Sequence, residues 1–442
     1  MSAIKGYITD IRESSRDAKL FLIAYFLWAV QGGAYWTTYV VIIQEIFGTQ
    51  QLGLMMSVST LFSALSAIPM GALNKKFGFK KMMIFGAIFN TLFMAVTMYT
   101  KSFPLLMVFT ALQGPPASAT DVLSAPLINA TTTEKQRSTL YSIMYAGYWC
   151  IVAIVSKFSG NCIVALQSSM GIPELEAYKY FFLITSALSL ISIIPLLMLS
   201  NIKVEEEVVT KKEKKSFSQS FKEVANKDVL IYLVYVGLIG LGLGLFTPFF
   251  SNFFKDGLKL DPVTVGNVIS VQYFAMVIGM LLCPYFEKKF GRIATLGWSS
   301  LMSIPFMLFI VNCDLFGGAM VPVLAVSFFM RSGLMNLNMP IMYTIILEFV
   351  DPDKRATVSG IQSTFRTGLS SVSSAVAGFV MALPAFGLFG LTFDGYRIPY
   401  YIAGTLYLVA QIILFKHFYK KYNWPKENNE EKAELKEATV SE

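Results

Sequence analysis

The sequence predicts an all-α membrane protein, with twelve transmembrane helices in two pseudo-symmetric six-helix bundles. Three observations predict it. Hydrophobic residues make up 55% of the 442 and charged residues only 14%, with a mean hydropathy of +0.57. Uncharged runs such as Met82–Tyr99, Tyr180–Ser200 and Ile398–Phe415 are about as long as a bilayer core requires, roughly 20 residues. Finally, one stretch occurs twice. Gly71-Ala-Leu-Asn-Lys-Lys-Phe-Gly78-Phe-Lys-Lys81 returns as Pro284-Tyr-Phe-Glu-Lys-Lys-Phe-Gly291-Arg292, at an offset of 291 − 78 = 213 residues. Gly53 matches Gly266, and Ser57-Val58 matches Ser270-Val271, at the same offset. A second pair of loops, Glu134–Arg137 and Asp353–Arg355, echoes at 355 − 137 = 218, with Ser159-Gly160 and Ala377-Gly378 further along. Repetition on this scale marks two copies of one helical bundle.

The same composition excludes other classes. A net charge of +8 would suit nucleic acid, but the basic residues sit in short loops between apolar spans. No nucleic-acid partner is expected. Cys150, Cys162, Cys283 and Cys313 have no CxxC spacing and read as apolar filler. There is no P-loop, HExxH or CxxC, so neither enzyme chemistry nor a cofactor or metal is expected. The only histidine, His417, falls at the end of the last span and reads as interfacial. The first residues carry mixed charge and the first apolar run is too long for a signal peptide, so the first span is its own insertion signal.

In chain order, residues 1–18 form a cytoplasmic segment and 19–200 a first six-helix bundle. Its spans are Leu20–Ile46, Leu52–Leu73, Met82–Tyr99, Pro104–Asn129, a fifth from after Arg137 to near Ala165, and Tyr180–Ser200. Residues 201–227 are a linker rich in lysine and glutamate, with an amphipathic helix expected at Phe217–Val224 on the membrane surface. Residues 228–419 hold the second bundle, with spans Val229–Phe254, Pro262–Phe286, Ile293–Val311, Val321–Val350, Ala356–Leu383 and Ile398–Phe418. Residues 420–442 read as a disordered cytoplasmic tail.

Lysine and arginine set the orientation. With the amino terminus inside, the inner side receives both copies of the basic turn, the linker, Lys135, Arg137, Lys354, Arg355 and the tail. The outer side receives only Lys101, Lys179, Lys255, Lys259 and Arg397. Both termini are therefore expected in the cytoplasm, with the protein in the plasma (cell inner) membrane, lipid around it and no partner subunit.

These residues resemble the major facilitator superfamily, whose signature between spans two and three is roughly G-x-L-x-D-R-x-G-R-K. Gly71, Leu73, Lys76, Gly78 and Lys80 match it, and Lys289, Gly291 and Arg292 match more weakly. The loop before span eleven, with Glu348, Arg355, Gly360 and Gly378, is similar to the family as well. The resemblance covers the whole chain. It implies two bundles around a central cavity, transport by alternating access, and gating at Gly71, Lys76, Gly78, Lys80, Gly291, Arg292, Glu348 and Arg355. One position departs. Lys75 and Lys288 stand where the family has an acid, so an inward latch falls to Glu287, or to Glu348 with Arg355.

Charges inside a bilayer are costly and mark function. Away from the span ends, four are found: Asp121, Lys157, Arg331 and Arg366. Arg331 and Arg366 lie about ten and eleven residues into their spans, near mid-depth. They are read either as a site for an anionic substrate group or as structural groups, paired with Asp121 or hydrogen-bonded to helix carbonyls. Asp121 is the candidate proton-coupling group, with a permanent salt bridge as the alternative. Lys157 snorkels or faces the interface. Gln31, Gln113, Asn338, Trp28 and Tyr35 complete the expected substrate set. Pro115-Pro116 is expected to break span four, and Gly32-Gly33 to let span one bend.

The reading is a secondary active transporter of a small organic solute, an organic anion first, coupled to protons. The alternatives are a multidrug or metabolite efflux antiporter, a sugar symporter and a non-transporting sensor. The Tyr145–Gly160 stretch has no proline of the kind the family's antiporters carry in span five. Leu52–Leu73 has no acid of the kind its melibiose-type sugar carriers carry in span two.

Overall fold

The computed structural model describes residues 11–201, 217–384, 386–388 and 391–423. Among these, the first span runs Arg16–Ala34, continues as a π-helix over Tyr35–Tyr39 and ends as Val40–Phe47. Spans two and three form Thr49–Tyr99, interrupted at Gly78, and span four is Phe103–Thr131. Span five is Glu134–Met170, and span six is Glu174–Leu190 with Ile193–Leu197. The short linker helix is Phe217–Val224. Span seven starts as Lys227–Phe246 and ends in a π-helix at Phe253–Gly257. Spans eight and nine are Pro262–Phe290 and Arg292–Val311. Span ten is broken into Met320–Leu337, Met339–Thr344 and a tighter turn at Ile345–Phe349. Spans eleven and twelve are Arg355–Met381 and Ile398–Tyr422. Nine of the described helices are long and apolar enough to cross a membrane, and Gly78 divides one of these into two spans.

The bends follow from local chemistry. Gly78 (φ 78°, ψ 161°) and Gly291 (φ 85°, ψ 163°) occupy a region closed to residues with a Cβ, and each turns the chain between two helices. Sequence repetition therefore reappears as repetition of dihedrals. The π segments repeat too: 253 − 35 and 257 − 39 both equal 218. One correction concerns span four. Its helix runs unbroken through Pro115, Pro116 and Pro126. Gly86 lets the neighbouring span approach there: a Cβ at Gly86 would lie 2.9 Å from the Pro116 carbonyl. The break falls instead in span ten, beside Asn338 and Pro340. A two-stranded hairpin, Phe386–Leu388 with Leu391–Phe393, joins the last two spans and had no counterpart in the hydropathy reading.

Contacts group the chain into two compact units. The first holds residues 1–211 with 247–270 and 374–383; the second holds 212–246, 271–373 and 384–442. In the first, Phe21, Met70, Phe79, Met83, Leu123, Leu127, Leu140, Met144 and Leu196 form one buried core from all six N-terminal spans. Polar ties pin its helix ends. Ser15 caps span one by accepting from the Ala18 amide (3.1 Å) and donates to the Thr131 carbonyl (2.7 Å), while Asp17 accepts from the Ser200 amide (3.0 Å). In the second unit, span seven packs along span twelve, and span nine along ten and twelve.

Two close helix crossings lie within the first unit. A Cβ at Gly53 would meet the Ser374 carbonyl at 2.7 Å and Gly378 Cα at 2.8 Å. A Cβ at Gly266 would meet the Ser156 carbonyl at 2.5 Å, and one at Gly160 the Pro262 carbonyl at 2.2 Å. The repeated Gly53/Gly266 and Gly160/Gly378 thus pair as span two on eleven and span five on eight, backbone against backbone.

Candidate functional site

In the first unit, Asp121 stands in span four. Its charge reaches the hydroxyls of Tyr25 and Tyr148. The Tyr25 and Tyr148 rings lie 5.2 Å apart, Tyr25 and Trp28 stand edge-on at 6.1 Å, and Tyr148 and Trp149 at 5.2 Å. Asp121 is exposed and makes no hydrogen bond or ion pair among the described residues. The Trp28 Nε1 is buried without an acceptor. Tyr35 opens the π segment, stacks on Tyr39 at 5.3 Å and donates to the Met56 sulfur at 3.4 Å. A π segment often marks a functional position in a helix.

The two glutamines of this unit stand elsewhere. Gln31 is buried, donates to Ser186 Oγ (3.0 Å) and accepts from Thr91 Oγ1 (3.2 Å), joining spans one, three and six. Gln113 donates to Asn90 Oδ1 at 3.0 Å, joining spans three and four. Lys157 is exposed.

In the second unit, Arg331 is 4% exposed. Its guanidinium lies over the Phe246 ring at 4.6 Å, with Tyr400 and Tyr407 of span twelve close enough to feel its charge. Arg366 is half-buried and lies over the Tyr343 ring at 5.3 Å. No described carboxylate forms an ion pair with Arg366. Both cations therefore meet aromatic faces. Gln362 donates to the Met342 carbonyl at 2.8 Å and ties span eleven to the broken stretch of span ten. Asn338, at that break, donates to Ser300 Oγ at 2.6 Å in span nine.

The turn residues divide by copy. Lys80 donates to the Leu199 carbonyl at 3.2 Å, Lys76 lies over Phe77 at 5.5 Å, and nothing crowds Gly71. Arg292 pairs with Glu287 at 2.7 Å and also with Glu348. Arg355 instead donates to the Leu347 carbonyl at 3.2 Å, so the expected Glu348–Arg355 partnership gives way to Glu348–Arg292.

Three charged clusters escaped the sequence reading. Lys255, in the second π segment, pairs with Glu45 (2.7 Å) and Glu174 (3.0 Å) and lies over the Tyr178 ring at 4.8 Å. Beside it Gln44 donates to Asp256, and Asn252 to the Val40 carbonyl at 3.2 Å. Arg397 grips Asp314 through both terminal nitrogens (3.2 and 2.8 Å) and Asp394 through Nε (3.0 Å). Burial works against its charge, but the two carboxylates outweigh burial and hold its pKa above the ordinary value. His417 shares Asp228 with Tyr422 and Lys421, at 2.8 Å for the histidine. The 218-residue offset could have flagged the π segment around Lys255. No spacing signal could pair residues as remote as Asp314 and Arg397.

Comparison with known proteins fits this architecture. The family model described as Major Facilitator Superfamily matches residues 21–374 and 236–441. The chain resembles the crystal structure of the nucleoside transporter NupG at TM-score 0.69 and 16% identity, covering 92% of this chain and 100% of that one. It resembles a D-xylose–proton symporter at TM-score 0.70 and 13% identity, covering 93% and 98%. A bacterial homolog of the human lysosomal transporter Spinster, inward-facing and unoccupied, matches at TM-score 0.68 and 16% identity, covering 92% and 98%. No curated protein matches.

Proposed function

This chain belongs to the major facilitator superfamily and is a multi-pass membrane transporter rather than an enzyme, and from that premise we propose that it moves a small organic anion by alternating access, coupled to protons. The observation that carries the anion reading is Arg331. A guanidinium buried in an apolar helix bundle is retained at a cost of several kcal/mol, at order of magnitude, unless it does something useful. Its planar fork suits a carboxylate or phosphate better than an ammonium would. Arg366, one element away and likewise set over a ring, supports the same substrate class.

Asp121 is the proton-coupling candidate, because it is a carboxylate within a span and has no fixed partner among the described residues. Gln31, Gln113 and Asn338 are joined to neighbouring helices, and their role in this proposal is to hold the bundle in shape. Both termini are proposed to face the cytoplasm, with the chain acting as a monomer.

The test is uptake and efflux of a solute panel in proteoliposomes, with and without a pH gradient. Arg331→Gln or Arg366→Gln should weaken the apparent affinity for the anionic solute at least about tenfold, since hydrogen bonds to a charged group contribute roughly 1.5–3 kcal/mol. Asp121→Asn should leave transport running down the solute's own gradient while abolishing its response to the pH gradient. Normal anion transport in both arginine variants would remove the anion reading.

A further inference from the structure

We propose that spans one and seven meet along a polar seam that parts to admit solute at the end of the spans remote from the Gly78 turn, with Lys255 as its main fastening. This rests on the transporter reading, but on neither the anion nor the proton assignment.

Spacing alone aligns the seam. Ser251, Asn252, Lys255 and Asp256 stand at i, i+1, i+4 and i+5, on one side of the end of span seven. All four reach span one. Ser251 donates to the Trp36 carbonyl and Asn252 to the Val40 carbonyl at 3.2 Å, Gln44 donates to Asp256, and Lys255 pairs with Glu45 at 2.7 Å. Their partners, residues 36, 40, 44 and 45, also recur at helical spacing on one side. Lys255 further holds Glu174, at the start of span six, at 3.0 Å and lies over the Tyr178 ring at 4.8 Å. All of these residues belong to the first unit.

The π segments supply parts of this contact. In an α-helix the Val40 amide would bond to the Trp36 carbonyl. Here it bonds to the Tyr35 carbonyl, and the Trp36 carbonyl is the one that accepts from Ser251. The second π segment, Phe253–Gly257, carries Lys255 and Asp256.

Two features make the seam a place that opens rather than a fixed brace. Span seven changes unit along its length: Lys227–Phe246 group with the second unit, and residues from Thr247 onward with the first. The covalent chain cannot part at that step, so the end of span seven leaves span one only along the seam. The fastenings are also polar. Each group that lets go can bond to water instead, whereas an apolar contact would expose hydrocarbon. Glu45 and Glu174 are 38% and 39% exposed, so water already reaches them. Ion pairs of that exposure hold weakly and release at small cost.

The test uses the full chain in lipid nanodiscs, with hydrogen exchange of residues 35–47 and 250–258 read by mass spectrometry. Lys255→Met should speed exchange in both segments together by at least about tenfold, and Ser251→Ala by about threefold, with the melting temperature unchanged. Lys255→Arg should keep the parent rate. If Lys255→Met fails to fold, Glu45→Gln combined with Glu174→Gln should give the same paired rise. A fixed brace would instead lower the melting temperature and speed exchange throughout the unit. That result, or unchanged exchange in a folded Lys255→Met, would overturn the proposal. Transport supplies a second arm. Glu45→Cys with Lys255→Cys, bridged by a bifunctional methanethiosulfonate, should stop solute movement in proteoliposomes, and reductant should restore it. Each single-cysteine variant treated alike should transport normally. Full transport by the bridged protein would overturn the seam as a gate. Paired exchange in a protein that moves no solute would remove the transporter reading and leave the opening seam standing.

Discussion

The Gly78 turn and the Gly291 turn bend the chain through nearly the same dihedrals, yet different residues hold them. At Gly78 the basic residues find no described carboxylate: Lys80 reaches the Leu199 carbonyl and Lys76 lies over Phe77. At Gly291 the arginine that follows is held by Glu287 and Glu348, and Asn423 reaches in to accept from the Ala294 amide at 2.8 Å. The same divergence shows where spans two and eight begin. Gly48 starts span two with no side-chain cap, while Asp261, at the equivalent position 213 residues on, caps span eight through the Val263 and Thr264 amides. The glycines at two turns and two crossings, Gly78/Gly291, Gly53/Gly266 and Gly160/Gly378, recur in both halves, whereas Gly48, also at positive φ (93°), stands opposite Asp261. The polar groups that trim the ends have not been kept, because each contributes little and can be replaced.

The largest effect is expected where both halves kept glycine for close approach. Gly160→Val would drive a Cβ to 2.2 Å from the Pro262 carbonyl, where neither backbone can give way. Gly378→Val meets the Gln50 and Thr49 carbonyls at 2.9 Å and has more room to adjust. We expect about 3 kcal/mol or more for the first and roughly 1–3 kcal/mol for the second, read from thermal unfolding in detergent and from transport rate. If the two variants melt like the parent, the crossings are looser than the repeat implies.

Next come the turns. Gly78→Ala and Gly291→Ala each place a Cβ in a region reserved for glycine and should cost about 1–3 kcal/mol. Gly291→Ala should be the worse of the two, because its Cβ would also lie 2.6 Å from Asn423 Oδ1. Adding Asn423→Ala should bring the Gly291 variant back toward the Gly78 value. No such recovery would mean that the backbone alone sets the difference.

These glycines were legible in the sequence because a glycine required by backbone geometry cannot be exchanged, so it survives in both copies at fixed spacing. The span count was legible for an equally simple reason, the length of apolar run that a bilayer demands. Which way a side chain points was not. Neighbouring residues of a helix differ by about 100° in direction, so a polar residue at mid-depth can face a solute or a neighbouring helix. Gln31, Gln113 and Asn338 face Ser186, Asn90 and Ser300, residues whose proximity no local pattern announces. The π segment at Tyr35–Tyr39 adds to this, since one extra residue per turn rotates everything beyond it. Pro115-Pro116 misled for a related reason. A proline removes one intrahelical bond, but a packed bundle can carry a helix through it, and Gly86 supplies the room.

Asp261 offers a smaller effect with a pH signature. Burial pushes its carboxyl up, but hydrogen bonds from the Thr264 hydroxyl and amide and from the Val263 amide outweigh burial and hold its pKa below the ordinary value. A folded-state pKa below the unfolded one stabilises above the unfolded value, and that contribution disappears as pH falls through the folded one. Asp261→Ala should therefore cost about 1 kcal/mol at neutral pH and progressively less in acid, while Asp261→Gly, a cap position that glycine tolerates, should cost only a few tenths. A pH-independent loss would show that the carboxylate is not the capping group.

The smallest effect tests the divergent chemistry itself. Glu287→Gln removes one carboxylate from Arg292, which is 17% exposed, and leaves Glu348 in place. About 1 kcal/mol or less is expected, shrinking as salt is raised, because the pair is only partly shielded from water. Lys80→Met removes a single bond to one carbonyl and should fall within about 0.5 kcal/mol of the parent with no salt dependence. Because Lys80 matches the family's turn signature, a large loss of transport without loss of stability in Lys80→Met would mean that the lysine acts in another conformation. The first turn would then have kept its charge for movement, while the second has used its arginine for rest.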